Sequence, residues 1–194
     1  MSTVKQDFAA YRGKEAFDRL AAGTACLALA SLAAGIVVAS WAEDGGPPLS
    51  LRERIGRWRR PFTAVSFRST AALRTTRVGQ VLRRTGFEQL PQLLNVLRGE
   101  MSLVGPEPLA PQELALWHGP ELDWRFAAKP GLTGLAQLLA VRGARNRQRL
   151  DRLYLQRQSL ALDLQLLLLS LASNAVGRRR MRRWLRRLSA AAGR

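Results

Sequence analysis

Cysteine and histidine are nearly absent: the 194 residues hold one of each, Cys26 and His118. A disulfide framework within one chain is excluded, and so is a zinc site built from Cys and His. A Ser-His-Asp or Cys-His mechanism would rest on His118 alone. That residue sits in "LWHGPE" and reads more plainly as a surface histidine at a helix end. Acids are scarce too: 14 Asp and Glu face 31 Lys and Arg, a formal net charge of +17. This balance calls for a polyanionic partner, which can be nucleic acid, anionic lipid or a phosphorylated substrate. An enzyme under these exclusions works with carboxylates, arginines and a divalent metal. Internal repeats and sizeable low-complexity linkers are also missing, so the length fits one domain with a modest core plus a membrane element.

Residues 20–42, "LAAGTACLALASLAAGIVVASWA", form a run of 23 residues without charge, long enough to cross a hydrocarbon core of about 30 Å as a helix. Four readings compete: a re-entrant segment, a spanning helix, a signal peptide and a buried helix of a soluble protein. Lys5, Arg12, Lys14 and Arg19 precede the run; Glu43, Asp44, Arg52, Arg54, Arg57, Arg59 and Arg60 follow it. With basic residues on both flanks, the positive-inside rule sets no orientation for a span, whereas a re-entrant segment satisfies both flanks at once. Residues 159–176, "SLALDLQLLLLSLASNAV", carry leucines all round a helix and belong in a core or at a membrane surface. The tail, residues 178–194, holds eight arginines and no acid. Its Met181, Trp184, Leu185 and Leu188 recur at helical spacing, which suits a helix lying on anionic lipid; a solvated tail and a nucleic-acid arm are the alternatives.

The fold class expected is α+β, mainly helical. An N-terminal re-entrant or spanning membrane helix precedes a small cytoplasmic catalytic-type domain with a β-hairpin and short amphipathic helices. The leader is helical from about Lys14. "EDGGPP" (43–48) is a break. Residues 49–69 read as a β-hairpin around "GRWRR". Residues 70–86 are a basic link with one helical turn. Residues 87–97 place Leu90, Leu93, Leu94 and Leu97 on one helical face, with Pro91 near its start. "RGEMSLVGPEPLAP" and "AKPGLTGLAQL" are loops, "QELALW" is a short helix, and 145–158 and 159–176 are helices. The division expected is 1–48 leader and membrane helix, 49–177 catalytic-type domain, 178–194 Arg-rich tail.

The chemistry concentrates in "FEQLPQLLNVLRGEMSLVGPEP" (87–108). Glu88 and Glu100 stand at opposite ends of one helix. Arg68, Arg77, Arg83, Arg84, Arg125 and Lys129 are spread over several loops; guanidinium forks and a lysine point charge are phosphate ligands. "KPGLTG" offers backbone N–H groups that can cradle an anion. Acid, metal and basic loops together are the equipment of phosphoryl transfer. Surface arginines and helix-capping acids are the plainer alternative.

The order of motifs resembles the bacterial sugar transferase family, the small monotopic polyprenyl-phosphate phosphoglycosyltransferases, from about Lys14 to Val176. "KEAFD" is similar to its Lys-Arg-x-Phe-Asp start. "FRST" resembles the end of Lys-Phe-Arg-Ser-Met. The 87–108 stretch resembles Ser-Leu-Asp-Glu-Leu-Pro-Gln followed by Asn-Val-Leu-x-Gly-Asp-Met-Ser-Leu-Val-Gly-Pro-Arg-Pro. "KPGLTGLAQL" resembles Lys-Pro-Gly-Ile-Thr-Gly-x-Ala-Gln, and "DRLYLQRQSLALD" resembles the closing Asp-x-x-Tyr and Ser-x-x-x-Asp run. The resemblance implies transfer of a sugar-1-phosphate from a UDP-sugar to undecaprenyl phosphate. The reaction would take place at the cytoplasmic face of the bacterial inner membrane and begin exopolysaccharide or glycoconjugate assembly. It implies that an acid attacks the β-phosphate, that UMP leaves, and that the lipid phosphate then takes the phosphosugar. By position the family's Asp-Glu pair falls on Glu88 and Gln89, with Mg²⁺ held there weakly. Arg68, Arg77, Arg83, Arg125 and Lys129 would contact phosphates.

Four positions depart from the family pattern. Glu88 adds a methylene to the nucleophile. Gln89 loses a charge beside the metal, where Mg²⁺ prefers carboxylate. Glu107 stands where the Pro-Arg-Pro motif would place an arginine on the lipid phosphate. Ser31-Leu32 replaces a Ser-Pro, so a break in the apolar helix would come from Gly35 or another cause, or be absent. The expected partners are the UDP-sugar, undecaprenyl phosphate, anionic membrane lipid and other polysaccharide-assembly proteins. A catalytically degenerate paralogue acting as a membrane-bound partner or regulator is the alternative. A basic nucleic-acid-binding protein is the third reading; few aromatics interleave the arginines, and no reading motif appears.

Overall fold

The computed structural model describes residues 10–71, 74–116, 123–139, 141 and 143–176. The leader 1–9, His118 and the Arg-rich tail lie outside the described residues. Lys14–Ala28 (α1) and Ala30–Asp44 (α2) carry the apolar run. No single helix among the described residues is long and apolar enough to cross a membrane; α1 and α2 meet that test together, bent by 59°. The break is at Leu29, with φ −103° and ψ 7°, and not at Gly35, which lies inside α2. A glycine bends a helix only where packing exploits it, and a Cβ on Gly35 would touch nothing within 4 Å. The helix is therefore not one straight span.

Both ends of the bent pair are fastened to the same folded body. At the α1 end, Lys14, Asp18 and Ala22 are buried on one face, spaced four residues apart as neighbours on a helix are. Asp18 accepts hydrogen bonds from the Ser102 hydroxyl at 2.7 Å and the Leu103 N–H at 3.3 Å. At the α2 end, Glu43 accepts from the N–H groups of Arg77 and Val78 at 2.6 and 3.0 Å. These are donors that a helix start leaves without an internal partner.

Leu49–Ile55 (β1) and Pro61–Phe67 (β2) form the expected hairpin, paired from Leu49 with Phe67 to Ile55 with Pro61. The supposed link 70–86 is more regular than expected: Thr70–Ala71 (β3) pairs with Arg74–Thr75 (β4), and Arg77–Thr85 (α3) follows, capped by Thr76. Phe87–Gln92 is a 3₁₀ helix that passes into Leu93–Leu97 (α4). Three residues per turn shift the phase of the leucines. Leu93 and Val96 are therefore buried and Leu94 is left exposed, unlike the single face expected. "QELALW" lies largely in a 3₁₀ helix, Pro111–Leu116, and Asp123–Ala127 (α5) follows.

The two supposed loops contain Ser102–Val104 (β5) and Gly131–Thr133 (β6), which pair in parallel, Ser102 with Gly131 and Val104 with Thr133. Three-residue strands carry no legible alternation, so only the tertiary pairing reveals them. Leu135–Leu138 (α6), Ala144–Gln156 (α7) and Leu160–Val176 (α8) complete the chain. The main core joins Ala22 of α1, Leu93 and Val96 of α4, Leu103 and Val104 of β5, Tyr154 of α7 and Leu166 of α8. α8 leaves Leu160, Leu164, Leu168 and Leu171 exposed, so its leucines divide between core and surface.

Gly105 and Gly131 are the closest crossing. A Cβ on Gly105 would lie 2.6 Å from the Lys129 carbonyl, and one on Gly131 would overlap the Gly105 nitrogen. Backbone cannot rotate aside as a side chain can. Gly131→Ala is therefore expected to destabilise by about 3 kcal/mol, the upper end of overpacking costs. Thermal unfolding checks this, and an unchanged midpoint would refute the packing account.

Candidate active site

Glu88 stands in the first turn of the 3₁₀ helix, directly after α3. Gly86 ends α3 at φ 78°, and a Cβ there would meet the Asn174 amide at 2.5 Å. The positive φ favours glycine here, and this turn sets the direction in which Phe87 and Glu88 leave the helix. The Glu88 carboxylate lies 3.7 Å from Arg83 Nε, with a side-chain exposure of 31%. Arg83 is itself aimed: its Nε donates to the Ser69 hydroxyl at 2.9 Å and its Nη1 to the Thr75 hydroxyl at 3.3 Å. Gln89 donates its N–H to the Gly86 carbonyl at 3.3 Å.

Arg68 and Arg77 stand beside this cluster at the α2 exit. The Arg68 guanidinium grips the Asp44 carboxylate with both terminal nitrogens, one at 2.8 Å, and donates from Nε to the Pro47 carbonyl at 2.6 Å. Arg77 opens α3 with its side chain exposed. Of the residues expected at the site, Glu88, Gln89, Arg68, Arg77 and Arg83 thus fall on consecutive elements around α3.

The other three are engaged with other groups. Arg125 is 4% exposed; its Nε donates to Asp151 at 3.0 Å and its Nη2 to the Glu107 carbonyl oxygen at 2.6 Å. Burial pushes the Arg125 guanidinium down and the Asp151 carboxyl up, and each charge opposes the other's shift. Arg125 thus ties α5 to α7 and to the "GPEP" loop. Glu107 faces Arg147 at 3.5 Å, and Glu113 faces the same guanidinium at 3.2 Å. The reversed charge at Glu107 is therefore answered by a cation 40 residues further along the chain. Lys129 pairs with Glu15 at 2.9 Å.

Sequence reading missed the network beneath these sites. Lys14 Nζ lies 2.6 Å from Asp163, whose side chain is fully buried. The Tyr154 and Tyr11 hydroxyls approach the same carboxylate at 2.7 and 3.1 Å. Burial first, and then the Asp163 charge, push the Tyr154 hydroxyl far up, so it stays a donor. Asn95, fully buried, clamps α4 to β2: it accepts from the Val65 N–H at 3.1 Å and donates to the Thr63 carbonyl at 2.7 Å and Glu100 at 2.6 Å. The available signal was a polar residue placed among leucines.

A family model described as bacterial sugar transferase matches residues 9–176. The chain belongs to the bacterial sugar transferase family. The UDP-glucose:undecaprenyl-phosphate glucose-1-phosphate transferase of Caulobacter vibrioides is 37% identical over 183 residues, covering 82% of this chain and 68% of the relative. The undecaprenyl-phosphate glucose phosphotransferase of Komagataeibacter xylinus is 37% identical over 185 residues, 81% of this chain and 35% of the relative. The UDP-galactose-lipid carrier transferase of Erwinia amylovora is 37% identical over 154 residues, 64% of this chain and 32% of the relative. The sugar transferase chain thus spans about a third of the length of the last two. As for a metal, no group of three or more His, Cys, Asp or Glu converges among the described residues of this sugar transferase. Glu88 with the Gln89 amide fits Mg²⁺ only in the mode in which one carboxylate shares the ion with substrate phosphates and water.

Proposed function

We propose that this sugar transferase moves a sugar-1-phosphate from a UDP-sugar to undecaprenyl phosphate, at the start of exopolysaccharide or glycoconjugate assembly. The observation that carries this is Glu88, a carboxylate retained in the family's frame and held 3.7 Å from an arginine that Ser69 and Thr75 orient. A Glu88 oxygen forms a bond to the β-phosphorus of the donor, and the bond from that phosphorus to the bridging oxygen breaks. UMP leaves with the electron pair. An oxygen of the lipid phosphate then attacks the same phosphorus and releases the Glu88 carboxylate. Arg83, with Arg68 and Arg77 beside it, offsets the phosphate charge. Glu88 and Gln89 would hold Mg²⁺ shared with the diphosphate, which supplies further charge neutralisation when bound.

Two features support work at a membrane surface. The α1–α2 pair is apolar and bent, and both of its ends are fastened to one folded body. We read it as re-entrant from the cytoplasmic face of the inner membrane. Residues exposed on it include Leu20, Leu27, Val38 and Trp41.

Membranes carrying the full chain, supplied with a panel of UDP-sugars and undecaprenyl phosphate, are expected to release UMP with at least one donor. Folded protein that releases none across a broad panel would overturn the proposal.

A further inference from the structure

The last two residues of α2, Glu43 and Asp44, each hold an element of the candidate active site. Glu43 accepts from the N–H groups of Arg77 and Val78, one on each carboxylate oxygen, at 2.6 and 3.0 Å. Asp44 accepts from both terminal nitrogens of Arg68. Arg68 directly precedes Ser69, whose hydroxyl accepts from Arg83 Nε at 2.9 Å. Two routes therefore start at the end of α2 and meet at Arg83. One runs along α3, and the other runs through Arg68 and Ser69. Arg83 in turn faces Glu88 at 3.7 Å.

α3 depends on outside groups for its placement. It has nine residues, too few for a stable helix by itself in water. Of these only Gly79 and Leu82 are buried, and the first turn holds no acid. The positive end of the helix is answered by Thr76, whose hydroxyl accepts from the Gly79 N–H at 2.9 Å, and by the Glu43 carboxylate. The contacts beneath α3 are tight. A Cβ on Gly79 would fall 2.1 Å from the Ser69 carbonyl oxygen, and the Thr76 N–H donates to that same oxygen at 3.2 Å. Ile36 of α2, Phe67 of β2 and Leu82 of α3 form one buried cluster, and Leu90 of the 3₁₀ helix packs against it. Close-packed elements transmit a shift rather than absorb it, so a displacement at Arg77 reaches Arg83.

We infer that Glu43 is a positioning residue for the transfer: through α3 it fixes Arg83, and so Glu88, relative to the apolar α1–α2 pair. Glu43 touches none of the reacting atoms and acts only through the helix it holds. The reactive geometry is thereby tied to the seat of α2 on the folded body. The effect on rate rests on Glu88 as the nucleophile, whereas the effect on α3 does not.

The test compares the full chain in nanodiscs as parent, Glu43→Gln, Arg83→Gln and the double variant. An amide presents one acceptor oxygen, so Glu43→Gln keeps the shape and loses one of the two N–H bonds. Hydrogen exchange, which needs no turnover, is expected to rise about threefold or more at the amides of residues 77–78 and 87–90, with α7 unchanged. In UMP release, kcat of Glu43→Gln is expected to fall about five- to fifty-fold, less than the about 10²-fold of a displacement of about 1 Å, with KM for the UDP-sugar within about twofold. In the Arg83→Gln background the same change is expected to lower kcat by less than about twofold, because its route ends there. If Glu43→Gln does not fold, Asp44→Asn replaces it, with the same expectations at 87–90 and in the cycle. The positioning role is overturned if exchange at 87–90 stays at the parent's level. It is equally overturned if kcat of an active parent is unchanged in the variant, or if the loss is the same with and without Arg83. A parent that releases no UMP removes the transfer reading, and exchange at 87–90 then decides the positioning role alone.

Discussion

Glu88→Gln is expected to lower UMP release by at least about 10³-fold, the scale of losing a covalent nucleophile. Glu100→Gln is expected to retain it. The contrast is informative because the two acids lie at opposite ends of the same short helical stretch and differ in their task. Glu100 accepts a hydrogen bond from Asn95 at 2.6 Å, and an amide can still accept it. Glu88 faces an oriented guanidinium, and an amide cannot attack phosphorus. A loss of 10³ corresponds to about 4 kcal/mol of transition-state stabilisation. Incubation with donor alone is expected to give a phosphosugar adduct on Glu88, visible by mass spectrometry and absent from the variant. Equal UMP release by parent and Glu88→Gln would remove Glu88 from the mechanism. The extra methylene relative to the family's aspartate shifts the attacking oxygen by about 1 Å, a displacement that can cost about 10²-fold. The parent is therefore expected to turn over more slowly than a relative with aspartate at this position.

Asp163→Ala is expected to destabilise the protein by about 3–5 kcal/mol, the cost of leaving a buried charge without its partner. Lys14 would keep only Asp18, at 3.7 Å, and the Tyr154 and Tyr11 hydroxyls would lose their shared acceptor. At about 2–4 °C per kcal/mol for a chain of this size, the midpoint falls by roughly 6–20 °C in detergent. The double variant Lys14→Met with Asp163→Leu is expected to lose less than the two single losses combined, because it removes both members of the closest buried pair while Asp18 keeps its hydrogen bonds from Ser102 and Leu103. A single-variant loss below about 1 kcal/mol would show that the pair is not what holds α1 to α8. The loss also bears on the proposed membrane role, since Lys14 begins the bent α1–α2 pair and its anchor sets how that pair meets the rest of the fold.

The hairpin was legible because Gly56 and the arginines of "GRWRR" interrupt two extended runs. The starts of α1, α7 and α8 were legible within two residues because their periodic patterns are long. Glu88 was legible as the candidate nucleophile because its neighbours in "FEQLPQLLNV" keep the family's order. Arg125 illustrates the limit: nothing adjacent to it in the chain reveals that Asp151 faces it at 3.0 Å in the interior. It therefore reads as an available phosphate ligand until burial is known. Glu107 is similar, since its partner Arg147 comes from another helix.

By itself the sequence determined the family, the mainly helical α+β class, the apolar segment and the position of one retained carboxylate. All of these are carried by local order and periodicity. The tertiary structure decided the 59° bend at Leu29, the parallel pairing of β5 with β6, the Lys14–Asp163 anchor and the pairing of Lys129 with Glu15 and of Arg125 with Asp151. Each depends on which distant surfaces meet. A charge or a glycine takes its role from the group packed against it, and chain order does not specify that group.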